Sequence, residues 1–324
     1  MNDGSLNYLV TELARYRGGA VDAAQREAAS RFVRHADADP GVLAASCRYL
    51  SQLPPHGAAL LAVLLGAAVE DGADPKATGP AVIDTFLSWL PELAQSDEGG
   101  EHDEIEQPFL DAFPQLCQSV VAHLARMPER HAAMAVDTPL LECLQALADI
   151  SEGAVWVYEL LGRRNGQMVV LHVPSARGFK VMYRGIGNCF HLFSLLQIAI
   201  GTDLPGGREP NPALIEASLG HAPDPVDDEA WWHYGNALCP TADIAASIWG
   251  EASVDSIPSI DGVQVLLLWP PLLASRGWES DFFGVRLDAM PAEVNIVELL
   301  DNVDCLHWFK RLNIDRSAGA AVPQ

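Results

Sequence analysis

Cys189 is the residue of this chain whose sequence surroundings most suggest chemistry. It follows the stretch YRGIGN, residues 183–188, and begins an apolar run that ends at Gly201. Asn188 is a favourable N-cap residue, which predicts that Cys189 lies in the first turn of a helix. The free backbone N–H groups of a first turn lower the pKa of a thiol and can also bind an oxyanion. The pattern therefore suggests the nucleophile of a hydrolase or an acyltransferase.

The stretch GIGNC, residues 185–189, resembles the GDGNC motif of ovarian-tumour-type cysteine proteases. The resemblance implies that the cysteine of this stretch is a nucleophile. The chain departs from the motif at Ile186, where that family has an aspartate.

A nucleophilic cysteine needs a histidine within hydrogen-bond reach. His191 is too close along the same helix to face the thiol, which leaves His221, His233 and His307. We take His233 as the candidate base. Glu251 lies in a small, apolar context and is predicted to be either a general acid/base or an anchor for backbone N–H groups.

The opposing interpretation of Cys189 is that it only fills space in a core. The helix that it begins is apolar on nearly all sides, which is typical of a buried helix, and free cysteine is among the most buried residue types. Burial raises the pKa of a thiol by more than a helix terminus lowers it. We therefore expect Cys189 to be largely buried and to react slowly.

Consecutive aromatic residues mark a second candidate site in the stretch 221–239. Trp231, Trp232 and Tyr234 surround His233 directly after an acidic, proline-containing run. Successive residues cannot all face one core, so some of these rings are expected to be exposed or to line a groove. Such a groove suits a small-molecule ligand or a protein partner. The alternative is a long loop that its tryptophans pin to the domain.

Three arginines form the main basic cluster of the sequence. Arg184 lies on a predicted strand and is taken as a candidate ligand or partner contact. Arg163 and Arg164 are expected to be exposed turn residues.

Metal binding has little support in the sequence. His221, His233, Asp227, Asp228 and Cys239 are near one another in the chain, but none of the HxxxH or HExxH spacings occurs there. No metal ligand is therefore assigned, and the cofactor is unknown.

The charge of the chain limits its partners. The 324 residues include 20 Lys+Arg and 43 Asp+Glu, which gives a formal net charge of −23. Such a chain repels nucleic-acid phosphates and anionic membranes, whereas a basic partner would be attracted. The six cysteines are scattered without paired spacing, and no signal-like apolar run follows Met1, so no leader is expected. Both features predict reduced thiols in the cytoplasm.

The first half of the chain has the apolar spacing of helices. The clearest case runs from Phe109 to Leu124, and the apolar run 57–69 is predicted to be a buried helix that is too short to span a bilayer. The acidic stretch 95–107 is predicted to be a solvated loop. An all-helical domain is therefore expected over residues 1–150, as a bundle or as an irregular array of helix pairs.

The second half is predicted to be an α+β domain over residues 151–316, with a mostly antiparallel sheet. Residues 154–161 alternate as in a strand, and Asn165-Gly166 predicts a tight hairpin turn with positive φ angles. Further strands are expected at 179–186, around the turn Asp261-Gly262, and at 292–299. Asp301 is predicted to cap a last helix, and residues 317–324 are expected to form a frayed tail.

Three functions are compatible with these patterns. The first is an acidic cytoplasmic binding or accessory protein whose site lies at the tryptophan-rich stretch. The second is a cysteine-dependent hydrolase or acyltransferase that uses Cys189 as its nucleophile. The third is a metal- or cofactor-dependent enzyme.

Overall fold

The structure is a computed structural model that describes residues 4–39, 41–95, 107–205, 207–208, 210–219, 227–229, 232–273, 276–278 and 286–314. The chain forms two compact units, Met1–Gly162 and Arg163–Gln324. The first unit is helical, and the second combines helices with a mostly antiparallel sheet, which confirms the predicted fold class. The predicted tail 317–324 and most of the acidic stretch 95–107 lie outside the described residues.

The first unit has its helices in the following order: α1 (Gly4–Leu13), α2 (Ala23–Ala38), α3 (Gly41–Ser46), α4 (Pro55–Glu70), α5 (Pro75–Gln95), α6 (Gln107–Leu124), α7 (Pro128–Met134), α8 (Thr138–Leu147) and α9 (Glu152–Gly162). Helix α6 lies against α4, α5 and α9. Its apolar face, which the sequence predicts, is fully buried at Phe113, Leu116 and Val120.

The long apolar run 57–69 lies in α4, as predicted. Gly66 lets this helix approach α6 closely, because a Cβ atom there would lie 3.0 Å from Oγ of Ser119. The same hydroxyl donates to the carbonyl oxygen of Ala62 at 2.6 Å.

Among the helices of the described residues, none is both long and apolar enough to cross a membrane.

The predicted strand at residues 154–161 is wrong, because this segment lies in helix α9. The alternating pattern is also a helical one: Ala154, Val157, Leu160 and Leu161 recur at three- and four-residue spacing, and all four are buried. The change from helices to strands consequently comes at residue 163, where the two compact units divide, rather than at residue 151.

The second unit has these elements: β1 (Arg164–His172), β2 (Arg177–Ile186), α10 (Cys189–Ile200), α11 (Pro212–Ser218), β3 (Asp227–Glu229), β4 (His233–Asn236), β5 (Ser259–Ile260), β6 (Val263–Trp269), β7 (Arg276–Trp278), β8 (Glu293–Leu300) and α12 (Asn302–Arg311). The main sheet has the order β4-β6-β1-β2-β8, and β5 pairs with β6. Strands β1 and β6 are parallel, with His172 opposite Leu268. The other pairs are antiparallel, including the separate ribbon of β3 and β7.

The main sheet is covered by helices on both faces. On one face Val170, Leu266 and Tyr234 pack with the side chains of α10 and α11. On the other face Leu171 and Leu267 pack with the side chains of α12. Side chains alternate between the two faces along a strand. Neighbouring residues of one strand therefore lie on opposite faces of the sheet, and residues that are paired across two strands lie on the same face.

The predicted turn at Asn165-Gly166 is wrong, because both residues lie in β1 and neither has a positive φ angle. The side chain of Asn165 accepts a hydrogen bond from the backbone N–H of Gly185 at 2.8 Å. A Cβ atom at Gly166 would lie 2.5 Å from the hydroxyl oxygen of Tyr183. The pair therefore lies at a shift in the register between β1 and β2. The turn that joins these two strands is at residues 173–176.

The turn predicted at Asp261-Gly262 is confirmed. It joins β5 to β6, and both residues have positive φ angles, 49° and 83°. The predicted strands at 179–186 and 292–299 correspond to β2 and β8. Asp301 caps α12 by accepting hydrogen bonds from the N–H groups of Val303 and Asp304, as predicted.

We predict that Gly262→Val lowers the free energy of unfolding of the second unit by about 1–2 kcal/mol. The cost comes from the backbone alone, since a side chain at this position meets no atom within 4 Å but a β-branched residue resists a positive φ. Gly262→Asn is the control, because asparagine tolerates this conformation. Urea unfolding should show the asparagine variant to be clearly more stable than the valine variant, and equal losses would contradict the assigned turn.

Candidate functional site

The first turn of α10 is closed by a loop of residues 250–253, here called the capping loop. The N–H of Cys189 donates to the carbonyl oxygen of Ala252 at 2.8 Å, and the N–H of Phe190 donates to that of Gly250 at 2.7 Å. The N–H of His191 donates to Oδ1 of the N-cap Asn188 at 2.8 Å. These are the groups that an oxyanion hole would need free, so the turn has no donors left to offer an oxyanion.

Each residue before Cys189 in the stretch GIGNC has a structural reason. Gly185 has a φ of 66°, and a Cβ atom there would lie 2.6 Å from the carbonyl oxygen of Pro291. Ile186 is fully buried. A Cβ atom at Gly187 would lie 3.1 Å from the guanidinium of Arg163, and Asn188 is the helix cap. Packing and capping therefore account for the stretch without catalysis.

The thiol of Cys189 has no exposed surface. It donates to the carbonyl oxygen of Ser253 in the capping loop, at an Sγ–O distance of 3.5 Å. Burial, opposed by a hydrogen bond from Ser256, raises the pKa of this thiol to about 12. The predicted position of Cys189, in the first turn of a buried helix, is confirmed.

The structure does not bring the candidate base to this thiol. His233 pairs with Trp269 across β4 and β6, on the face covered by α12, whereas Cys189 belongs to the core on the α10 face. Nε2 of His233 lies 3.2 Å from Oγ of Ser247. His307 is an exposed residue of α12, on the same side as His233, and His221 lies outside the described residues.

His191 is engaged with partners of its own. Nη1 of Arg163 lies 3.2 Å from Nδ1 of the imidazole, and Nε2 lies 2.9 Å from the carbonyl oxygen of Ser218. This arrangement fits a neutral ring that accepts at Nδ1 and donates at Nε2. Burial, together with the charge of Arg163, lowers the pKa of His191 to about 4. The expectation that Arg163 and Arg164 are exposed turn residues is wrong, since Arg163 is 3% exposed and Arg164 is half-buried in β1.

Two further candidates lie away from any shared site. Glu251 is in the capping loop, between the two residues whose carbonyls bind α10, and its side chain is exposed. Arg184 is exposed on β2, which β1 and β6 separate from β4. Neither residue lines the cavity described next.

The aromatic residues of β4 and its start are buried rather than exposed. Tyr234 is 1% exposed and stacks on Phe193 of α10, with ring centroids 3.6 Å apart. Trp232 is 4% exposed and lies beside His172, with ring centroids 6.5 Å apart. Trp231 lies outside the described residues. Of the predicted aromatic candidates, Trp232 borders a cavity.

This cavity has a volume of about 630 Å³, and we call it the proline cavity. Its described walls contain a tryptophan, a histidine, a serine and several prolines: Trp232, His172, Ser175, Pro174, Pro205, Pro270 and Pro271. Oγ of Ser175 lies 2.6 Å from Nδ1 of His172. Burial, with a smaller contribution from the charge of Arg177, lowers the pKa of His172 to about 4. At neutral pH the described walls therefore carry no charge.

The sheet explains why these residues meet. Strands β1 and β6 are parallel, so their carboxyl ends lie at the same edge, and each is followed by proline: Pro174 after β1, and Pro270 and Pro271 after β6. Ligands commonly bind beyond the carboxyl ends of parallel strands. Neither these prolines nor His172 were predicted from the sequence to line a site. The prolines that follow two apolar strands were a usable signal, but only once the two strands were known to be parallel.

The residues that the sequence offers for a metal site are His233, Asp227, Asp228, Cys239 and His221, the last of which lies outside the described residues. Among the described residues, no group of three or more His, Cys, Asp or Glu side chains is placed to hold a metal ion. His233 is buried, whereas Cys239 is exposed. Asp227 and Asp228 pair with β7 through their backbones.

Comparisons with known proteins leave the class of this protein open. No protein-family model matches the chain, no curated protein is significantly similar to it in sequence, and no solved structure matches its fold. A fold alone would not define a function in any case. What the chain binds therefore has to be inferred from the chemistry of its sites.

We predict that, at every pH from 5 to 9, iodoacetamide labels Cys239 much faster than Cys189, and that it labels Cys189 only when the protein unfolds. Cys239 is exposed, whereas the thiol of Cys189 is buried and has a raised pKa. Mass spectrometry of the labelled sites over time measures both rates in one sample. Rapid labelling of Cys189 below pH 7 that His233→Ala abolishes would restore the nucleophile hypothesis.

We predict that the buried imidazole of His191 makes the second unit less stable in acid. Its folded-state pKa is below the ordinary value of 6.5, so its contribution is present above pH 6.5 and is lost as the pH falls towards 4. The loss should reach about 2 kcal/mol at pH 5. Urea unfolding gives the free energy of unfolding at pH 7 and at pH 5. The difference between these two values should be smaller by about this amount in His191→Gln than in the unsubstituted protein.

The control for this experiment is His307→Gln, which removes an exposed histidine. Its pH dependence should match that of the unsubstituted protein. If His191→Gln and His307→Gln behave alike, the buried neutral state of His191 is wrong.

Proposed function

We propose that this chain is a binding protein whose ligand occupies the proline cavity. The observation that carries the proposal is a cavity of about 630 Å³ between Trp232, His172 and the prolines that follow two parallel strands. This volume is within the usual range for small-molecule sites, roughly 300–1,000 Å³. The proposal agrees with the sequence-based expectation of a site at the tryptophan-rich stretch.

The chemistry of the walls favours an uncharged and largely apolar ligand. The prolines and the indole of Trp232 offer rigid apolar surfaces, and aromatic rings stack well on both. The imidazole of His172 is neutral at physiological pH, and its Nδ1 is already paired with Ser175. A charged ligand would lose its hydration there and find no described counter-charge, which is costly.

The alternative functions lack an observation of this kind. A cysteine hydrolase would need an accessible thiolate, a nearby base and free N–H groups, whereas Cys189 is buried beneath the capping loop. A metal-dependent enzyme would need a ligand cluster.

We also propose a cytoplasmic location, and the support for it is that all six cysteines are free thiols.

The proposal predicts that the uncharged dye N-phenyl-1-naphthylamine binds the protein with increased fluorescence. Pro271→Trp places a large ring at an exposed position on the wall of the cavity and should weaken binding at least about tenfold, which corresponds to about 1.4 kcal/mol. Leu238→Trp is the matched control, because Leu238 is 70% exposed and follows the far end of β4.

Fluorescence titration of the three proteins gives their affinities, and circular dichroism verifies that each is folded. Binding that persists unchanged in Pro271→Trp would place the dye elsewhere and contradict the proposal. Absence of saturable binding to the unsubstituted protein would contradict it too.

A further inference from the structure

A second cavity, of about 700 Å³, lies within the helical unit and shares no residue with the proline cavity. We call it the α5 cavity. One wall is a single face of helix α5, where residues recur at three- and four-residue spacing: Ala81, Asp84, Thr85, Ser88 and Trp89. The other walls are Phe109 in the first turn of α6 and side chains of the segment 47–55.

The aromatic part of the α5 cavity is a pair of rings at right angles. Trp89 and Phe109 have ring centroids 5.0 Å apart and an interplanar angle of 86°. The faces of aromatic rings carry partial negative charge, and they attract ammonium groups that come within about 6 Å. Tryptophan gives the strongest attraction of this kind.

Three polar side chains of the α5 cavity can accept hydrogen bonds. Asp84 contributes an exposed carboxylate. The hydroxyl of Thr85 donates its proton to the carbonyl oxygen of Ala81 at 2.8 Å, and that of Ser88 donates to the carbonyl oxygen of Thr85 at 2.6 Å. Each hydroxyl oxygen therefore keeps lone pairs for a donor. Among the described residues that line the cavity, none is lysine, arginine or histidine.

We propose that the α5 cavity binds an organic cation, with its ammonium group between the carboxylate of Asp84 and the ring faces of Trp89 and Phe109. A carboxylate, acceptor oxygens and aromatic faces all favour positive charge, whereas an anion would be repelled by Asp84 and would meet no basic side chain among the described lining residues. The net charge of −23 also attracts cations to the protein at long range. This binding class differs from that of the proline cavity, and neither proposal depends on the other.

The chain offers an internal probe of this site. Cys47 lines the α5 cavity, whereas Cys143 does not. Both thiols are half-buried, and burial raises the pKa of each. We expect benzyltrimethylammonium to slow the labelling of Cys47 by N-ethylmaleimide while the labelling of Cys143 is unchanged. Benzyl alcohol, which has the ring without the charge, should protect Cys47 much less.

Charge at Asp84 is tested with two variants of equal net charge. Asp84→Asn should raise the benzyltrimethylammonium concentration for half-protection of Cys47 by about fivefold, the upper range for an exposed ion pair. Asp149→Asn removes an exposed carboxylate outside the cavity and should leave this concentration unchanged. Equal protection by benzyl alcohol, equal effects of the two variants, or equal protection of both cysteines would each overturn the proposal.

The ammonium group could come from a free amine or from a lysine of a partner protein. Competition by the peptide acetyl-Gly-Lys-Gly-amide separates these two sources. Protection of Cys47 by the peptide at lower concentrations than by benzyltrimethylammonium assigns the site to a lysine side chain. The reverse order assigns it to a free organic cation.

Discussion

The structure of the second unit depends on two backbone hydrogen bonds between the first turn of α10 and the capping loop. A helix begins with N–H groups that have no partner within the helix, and here Cys189 and Phe190 donate theirs to carbonyl oxygens of the loop. The approach is close, because a Cβ atom at Gly250 would lie 2.8 Å from Cβ of Phe190. The loop therefore seals the helix end and covers the thiol beneath it.

The proposed binding site lies elsewhere on the sheet, away from the closed first turn of α10. With α10 sealed, the helix contributes its apolar side chains to the core, and Tyr234 is held against Phe193. The ordered position of β4 places Trp232 next to His172, where the parallel strands β1 and β6 end. An apolar wall at the carboxyl edge of the sheet is thus a consequence of packing, and it is the feature on which the proposed ligand binding rests.

Local patterns predicted much of this architecture. The helical spacing in α6, the turn at Asp261-Gly262 and the cap at Asp301 are set by nearby residues, and each was correctly predicted. Asn165-Gly166 failed because long-range contacts with Gly185 and Tyr183 override its turn preference. Residues 154–161 failed because their apolar spacing suits a helix as well as a strand.

The sites were harder to predict than the fold. Cys189 was correctly placed in a buried first turn, but the capping loop that satisfies its N–H is distant in sequence, and no local signal indicates it. The walls of the proline cavity meet only because β1 and β6 are parallel.

The most direct test of the closed first turn of α10 is amide hydrogen exchange at Cys189 and Phe190, measured by nuclear magnetic resonance. We expect both amides to be protected about as well as those at the centre of α10, and the rapid exchange of an ordinary, open helix end would contradict the capping hydrogen bonds.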